Sequence, residues 1–470
     1  MEFFQGRCNT VVFIACAVFA TAGAAQEIPA QLTLRDALAL ALEHSPALEA
    51  YSYGVRAAEA RALQAGLRPN PELEFEIEEI RFSDGGDTTT RAFDNAGVLQ
   101  EQEIEDGPDA GLDNAELTLS LSQLIELGRK RAKRIAAGEQ NVAATTWDYE
   151  IARVNVLAEV AHRFVLALAA QQKAALAEEA LKRAQAVHRT IEARVEAGAA
   201  SPIEASRAQL ETGTAGIDVD QAQRAVQSTH AALAAAIGID KASITEVVGD
   251  IETVPPSIPW NALQESIVES PESRRWLAEV ALRESELALE RAQRRPDQPD
   301  TRGRRMTNIH DARLNTFDAA GTPTGFGNAS PDDDRAHSFL VSFSLPIPLF
   351  DRNQGGIREA EYLVSKAEAE SRASGLRLES ALYQAWQTQA AAAERVTRFR
   401  SAIVPQAEEI FAATDEGYRE GKFDYLAVLD AQRTLFETRA QLTAAQADLH
   451  IATIELERLA GSIAGTSAQE

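Results

Sequence analysis

Cysteine is nearly absent from this chain. The two present in 470 residues, Cys8 and Cys16, both fall within the first 25. Those residues read as a secretory signal: Arg7 supplies a positive start, Val11 to Phe19 an apolar run, and Ala22-Gly23-Ala24 a small-residue cleavage site. The exported chain then carries no thiol, which excludes a disulfide framework and a thiolate metal site. Phe13-Ile14-Ala15-Cys16 faintly resembles a lipoprotein cleavage box. Cys16 lies inside the apolar run with little of it in front, which weighs against lipidation there.

Long apolar runs are also missing. After the signal no stretch reaches 18 consecutive apolar residues, so no spanning helix is expected. Positive charge is in deficit, with 46 basic against 71 acidic residues and a net charge of −25. That balance argues against nucleic acid or anionic lipid as a partner and suits cations or plain solubility. Enzyme signatures are absent as well. The seven histidines (His44, His162, His188, His230, His310, His337 and His450) include no pair at metal-ligand spacing. His310 and His337 share a loop, a weak hint of metal at best. No Gly-rich phosphate loop or nucleophile elbow occurs, so no enzyme, resident metal or cofactor is expected.

What the chain does contain is a duplication. Residues 194–209 (RVEAGAASPIEASRAQ) match 417–432 (GYREGKFDYLAVLDAQ) at an offset of 223, with Gly198 on Gly421 and Ala208 on Ala431. Residues 36–46 match 261–271 at offset 225, and 119–127 match 341–349 at offset 222. Three matches in one order divide the chain into repeats over about 31–250 and 256–465, joined by the Pro-rich 254–259.

Glycine and proline are missing from the 59 residues between Gly138 and Gly198, where Ala, Glu, Gln, Arg and Leu dominate. A helix of that length would run roughly 90 Å. A second breaker-free run covers Lys422 to Ala460. Helices this long need neighbours along their full length, as in coiled coils or helical barrels. At the tips, Gly198 and Gly421 suit the left-handed position after a helix end. Ser201-Pro202-Ile203-Glu204 reads as N-cap, first-turn proline and capping-box glutamate, and Asp424 as the next N-cap. Ser45-Pro46 and Ser270-Pro271 look like helix starts of the same type.

Strands are expected where the helices stop. After Pro69-Asn70-Pro71, Leu73, Phe75 and Ile77 alternate with Glu72, Glu74 and Glu76. Leu117, Leu119 and Leu121 alternate with Thr118, Ser120 and Ser122, and Phe339, Val341, Phe343 and Leu345 alternate less cleanly with Leu340, Ser342 and Ser344. A fourth strand should follow Pro296, where alternation is poor. Such segments suit either a half-buried soluble sheet or a membrane barrel. The export signal, the lack of a spanning helix and the long helices favour the barrel. Four strands cannot close in lipid alone, so copies must share one barrel. The intervening loops, 83–114 and 310–337, are rich in Gly, Asp, Thr and Asn and read as mobile, exposed loops.

The order helix, strand, strand, long helical hairpin, given twice after a signal peptide, resembles the TolC-type outer membrane factor family over nearly the whole exported chain. The phrases closest to it are TLRDALALALEHSPAL, RPNPELEFEIE, LPIPLFDRNQGGIREAE and EGYREGKFDYLAVLDAQRTL; PLFDRNQGGI with RPNPEL looks most like the CzcC-type heavy-metal efflux branch. The resemblance implies a mostly α protein with a membrane β-barrel. A homotrimer would have a shared 12-stranded barrel continued by a periplasmic α-barrel of helical hairpins. Its partners would be a periplasmic adaptor (membrane fusion) protein and an inner-membrane RND-type pump.

The family's gate residues carry over in part. Asp430 matches one of two constriction aspartates, and the other falls on Ala427. Tyr418 matches a linking tyrosine and Glu204 its acidic partner, while the basic residue of that network falls on Phe423. The plain readings stand beside these: Glu204 as a helix cap, Tyr418 as packing, and Asp430 as a solvated face residue. Three copies of Asp430 about an axis would recruit cations. If Glu72, Glu74 and Glu76 face the lumen, three copies place nine carboxylates in one cation-favouring belt; a merely solvated stripe is the alternative. The expected function is a passive outer-membrane exit duct for divalent heavy-metal cations. The alternatives are a duct for drug efflux or type I protein secretion, or a non-channel periplasmic coiled-coil adaptor. An adaptor would carry one hairpin flanked by β-rich domains, where this chain has two.

Overall fold

The computed structural model describes residues 31–78, 88–93, 96–104, 116–240, 244–295, 297–308, 314–317, 323–327, 335–343 and 347–462. The signal region, with Cys8 and Cys16, and His310 lie outside the described residues.

Elements follow one order twice. The first series is β1 (Gln31–Leu32), α1 (Leu34–His44), α2 (Pro46–Ala65), β2 (Glu72–Glu78), β3 (Thr88–Phe93), β4 (Leu99–Ile104), β5 (Glu116–Ile125), α3 (Lys130–Glu196) and α4 (Pro202–Ile237). The second is β6 (Glu246–Val247), α5 (Trp260–Glu269), α6 (Pro271–Gln293), β7 (Gln298–Asn308), β8 (Leu314–Phe317), β9 (Pro323–Gly327), β10 (Arg335–Phe343), α7 (Gln354–Arg398), α8 (Val404–Arg419) and α9 (Tyr425–Ala460). Helix α3 is longer than the breaker-free run suggests: it continues back through Gly138 to Lys130 for 67 residues, about 100 Å. Gly138 is tolerated because α2 crosses there. A Cβ on it would lie 3.0 Å from the Ala62 Cα, so the close approach requires glycine.

The second long arm is interrupted. Between α7 and α8, residues Phe399–Ile403 form a π-turn. Pro405 explains it: proline has no N–H to give to the carbonyl four residues back, and its ring crowds that carbonyl. A wider turn removes the conflict without ending the helix.

The chain divides into two compact units. One comprises residues 45–159, 254–401 and 448–470. Its sheet has the order β10-β7-β5-β2, antiparallel throughout. The poorly alternating segment after Pro296 is therefore a strand, β7. The two Gly- and Asp-rich connections carry short hairpins of their own, β3 with β4 and β8 with β9, where sequence suggested only irregular loop. Helices of this unit pack around Leu263, Leu382, Ala385 and Leu456. Trp260 meets Tyr383 edge-on at 5.1 Å, and Trp386 Nε1 donates to the Ile258 carbonyl at 3.0 Å, which fastens the Pro-rich linker to the core.

The other unit comprises residues 1–44, 160–253 and 402–447. The two-residue strands β1 and β6 pair in parallel. Gln171 holds β6: its Oε1 accepts from the Val247 N–H at 3.1 Å and its Nε2 donates to the Val247 carbonyl at 3.3 Å. The same Oε1 lies 3.2 Å from Nε2 of buried His230, whose pKa is lowered by burial.

Candidate gate at the helix tips and acidic face of the sheet

Both tips are built alike. Gly198 has φ +72° and Gly421 φ +77°. In each, the following N–H reaches back five residues, Ala199 to the Arg194 carbonyl and Lys422 to the Gly417 carbonyl, both at 2.7 Å. This is a Schellman closure, and only glycine takes the left-handed position at no steric cost. The next helix starts on the expected caps. Ser201 Oγ accepts from the Ile203 N–H at 3.3 Å, and Asp424 Oδ1 accepts from the Ala427 N–H at 3.0 Å. Ser270 caps α6 through Ser273 N–H, whereas Ser45 starts α2 without a side-chain cap.

Glu204 does not complete a capping box: its carboxylate has no hydrogen bond among the described residues. It acts instead on Tyr418. The Tyr418 hydroxyl is buried with no partner among the described residues. Its pKa is pushed up mainly by burial and further by the Glu204 charge, against the opposing pull of Arg194. The Arg194 guanidinium sits 4.9 Å from the Tyr418 ring centre, a cation–π contact joining the end of α3 to α8. Phe423, at the position where the family pattern has a basic residue, lies in the space a side chain on Gly417 would need. Asp430 is exposed on α9, and its charge acts on Arg433 one turn further on.

Sequence reasoning missed the layer above. Tyr425 is 3 % exposed and packs on Ile191 and Ala208, so it joins α9 to α3 and α4. Burial, reinforced by Glu211, pushes its pKa up to about 12. Arg433 forms a two-pronged ion pair with Glu211. Further along, Arg439 bridges Glu408 and Glu179, and Arg183 lies over both Phe411 and Phe436. One signal was legible: Glu211 and Arg433 are 222 residues apart, within one residue of the repeat offset. Opposite charges at near-equivalent repeat positions meet where the two hairpins pack.

The sheet, in the other unit, sorts its side chains by face. Register sets Leu73, Phe75 and Ile77 opposite Leu121, Leu119 and Leu117, and Glu72, Glu74 and Glu76 opposite Ser122, Ser120 and Thr118. Ser120 Oγ donates to Glu74 Oε2 at 3.1 Å. The apolar face is bare: Leu73 is 68 % exposed, Phe75 66 % and Ile77 52 %. Strands β2 and β10 end the sheet, each paired on one side only among the described residues. Among the described residues no helix is long and apolar enough to cross a membrane, and no cluster of three or more metal-ligating side chains occurs.

An open amphipathic sheet and very long helices define the class: a fold of outer-membrane channels. The outer membrane efflux protein family model matches residues 37–239 and again 263–462, and the chain belongs to that family. It is 28 % identical over 440 residues to the cobalt-zinc-cadmium resistance protein CzcC of Cupriavidus metallidurans, across 93 % of this chain and 91 % of that one. To the nickel-cobalt-cadmium resistance protein NccC of Alcaligenes xylosoxydans xylosoxydans it is 29 % identical, across 76 % and 69 %. Its fold is shared with the outer membrane protein VceC of Vibrio cholerae, at a TM-score of 0.65 and 18 % identity, covering 91 % of this chain and 96 % of that one. The chain is thus an outer-membrane efflux channel component with a periplasmic helical part, and channels of this family work with a periplasmic adaptor and an inner-membrane pump.

Proposed function

We propose that three copies pool their four-stranded sheets into one twelve-stranded barrel, continued by the helical hairpins as a periplasmic tunnel. The observation that carries this reading is the bare apolar face of β2 and β5 on a sheet with two open edges. In water such a face is a liability; in lipid it is the required exterior, and only a closed barrel satisfies every strand edge there. The two repeats, about 31–250 and 256–465, supply two strands and one hairpin each.

The cargo is a divalent heavy-metal cation, delivered by an RND-type pump through the adaptor. Support comes from the metal resistance for which the two relatives are named and from Glu72, Glu74 and Glu76, whose face becomes the lumen when the apolar face meets lipid. Metal is cargo here, passed along rather than stored. The periplasmic gate lies at the tips, with Gly198 and Gly421 forming the turns, Tyr418 and Glu204 linking helices, and Asp430 meeting its copies at the constriction.

The test is direct. Purified from outer membranes, the protein should run as a heat-modifiable trimer and form cation-preferring pores in planar bilayers. Recovery as a soluble monomer that forms no pores would end this reading.

A further inference from the structure

Where α6 passes into β7 and β10 into α7, the second repeat leaves an open pocket of about 700 Å³. Arg294, Arg352 and Arg358 line it together with Leu349 and Phe350. The apolar side is displayed rather than packed: Phe350 is 91 % exposed, Ile347 72 % and Leu349 64 %.

The carboxylates nearby are already engaged. Glu361 pairs with Arg291 at 2.9 Å, Asp351 accepts from the Asn353 N–H at 2.9 Å, and Glu290 accepts from the Asn353 side-chain amide at 2.6 Å. Among the described residues Arg294 and Arg358 have no carboxylate within ion-pair distance, and the Arg352 side chain donates only to the Pro348 carbonyl, at 3.2 Å. Asn353 directs its side chain to Glu290, so the first turn of α7, which contributes Gln354 and Gly355 to the pocket, has no side-chain cap.

The first repeat supplies an internal control. At its matching junction Lys130 pairs with Asp297 at 2.8 Å, Arg134 with Glu126, and Arg131 donates to the Gly66 carbonyl. Those cations serve the fold. In the second repeat Arg291 is likewise paired, with Glu361, whereas Arg294 and Arg358 have no carboxylate partner among the described residues.

We propose that this pocket binds the headgroup of an anionic phospholipid, with the arginines on the phosphate and Phe350, Leu349 and Ile347 against the upper acyl chains. The proposal rests on the barrel reading, which puts the strand-to-helix junction at the periplasmic membrane surface. Cations beside an exposed aromatic at that depth are the side chains that recognise such lipids. The net charge of −25 argues against anionic lipid for the chain as a whole. Screening confines charge to about 8 Å at physiological salt, so the local cluster decides.

The test uses the full-length protein in neutral detergent, titrated with dioctanoyl-phosphatidylglycerol, dioctanoyl-phosphatidylcholine and inorganic phosphate, with bound molecules counted by native mass spectrometry. Phosphatidylglycerol should be retained in preference to phosphatidylcholine, by about fivefold for each arginine that contributes. R294Q/R352Q/R358Q should lose at least about tenfold of that retention with its oligomeric state unchanged, while the corresponding triple lysine variant keeps most of it. F350A should weaken both lipids. Three results would each overturn the lipid site: equal retention of the two lipids, equal retention by the wild type and the triple glutamine variant, or displacement of phosphatidylglycerol by an equal concentration of phosphate. So would a triple glutamine variant that changes oligomeric state and leaves lipid retention alone, since the pocket would then belong to contacts between copies. Vesicle flotation of the same samples separates the two claims. A protein that never inserts overturns the barrel and this site together; one that inserts without lipid preference overturns the site alone.

Discussion

Asp430 and Tyr425 lie five residues apart on one helix and carry opposite kinds of information. Asp430 is exposed, so its removal should leave stability unchanged within about 0.5 kcal/mol. On the proposed gate, Asp430→Ala is expected to weaken block by divalent cations or raise resting conductance in planar bilayers, and unchanged conductance and block would remove it from the gate. Tyr425 is buried, and its effect belongs to the fold. Its pKa rises from an ordinary 10 to about 12 because burial disfavours the phenolate. A raised folded-state pKa means the contribution is complete below pH 10 and is lost as pH climbs to about 12. Thermal unfolding from pH 9 to 12 should therefore show the margin of wild type over Tyr425→Phe holding up to about pH 10 and then shrinking. A margin independent of pH would mean the phenol is not sheltered. Of these two residues sequence reasoning singled out only Asp430. Tyr425 looked like any aromatic near a helix start, because its burial comes from Ile191 and Ala208, more than 200 residues earlier.

At the scale of elements, the hairpin tips were the most readable part of the chain. A glycine followed shortly by a capping residue states a stop and a start through local backbone sterics alone, and both tips follow that statement. Gly421→Ala should cost about 1–2 kcal/mol, since alanine must enter the left-handed region while no atom lies within 4 Å to add a clash. A drop in melting temperature without loss of assembly would show it; an unchanged melting temperature would mean the tip relaxes. Strand β7 was the least readable. Its residues alternate poorly, yet it pairs along its length with β5 on one side and β10 on the other. Two neighbours' backbones override weak local preference, as strands in a sheet interior commonly show. The hairpins β3–β4 and β8–β9 were hidden for a related reason: glycine- and aspartate-rich composition marks turns and leaves short pairings between them unstated.

For the whole molecule, charge is the property that matters to function. The net charge of −25 is spread over a long chain, and only the sheet register turns part of it into a line of Glu72, Glu74 and Glu76 facing Ser122, Ser120 and Thr118. If that line is the lumen wall, Glu72→Gln/Glu74→Gln/Glu76→Gln should lower the cation preference of the pore, read as a shift of reversal potential in a salt gradient, while trimer yield stays constant. A full-strength preference in the triple variant would assign selectivity elsewhere. The tip network belongs to this scale too, since Arg433 on Glu211 and Arg439 on Glu179 join helices from different repeats, while Arg439 on Glu408 ties α9 to α8 within the second.

The sequence by itself determined the duplication, the long helices, the glycine turns and the two-faced strands. Each of these depends on periodicity or on a single residue's backbone freedom, which neighbours in the chain express directly. Only the tertiary structure decided which charges are free. Arg294 and Arg358 and the Lys130–Asp297 pair are written in the same letters, and their difference is whether folding brings a carboxylate to within ion-pair distance. That outcome depends on residues far apart in sequence, as does the burial that sets Tyr425 apart, and no local pattern carries it.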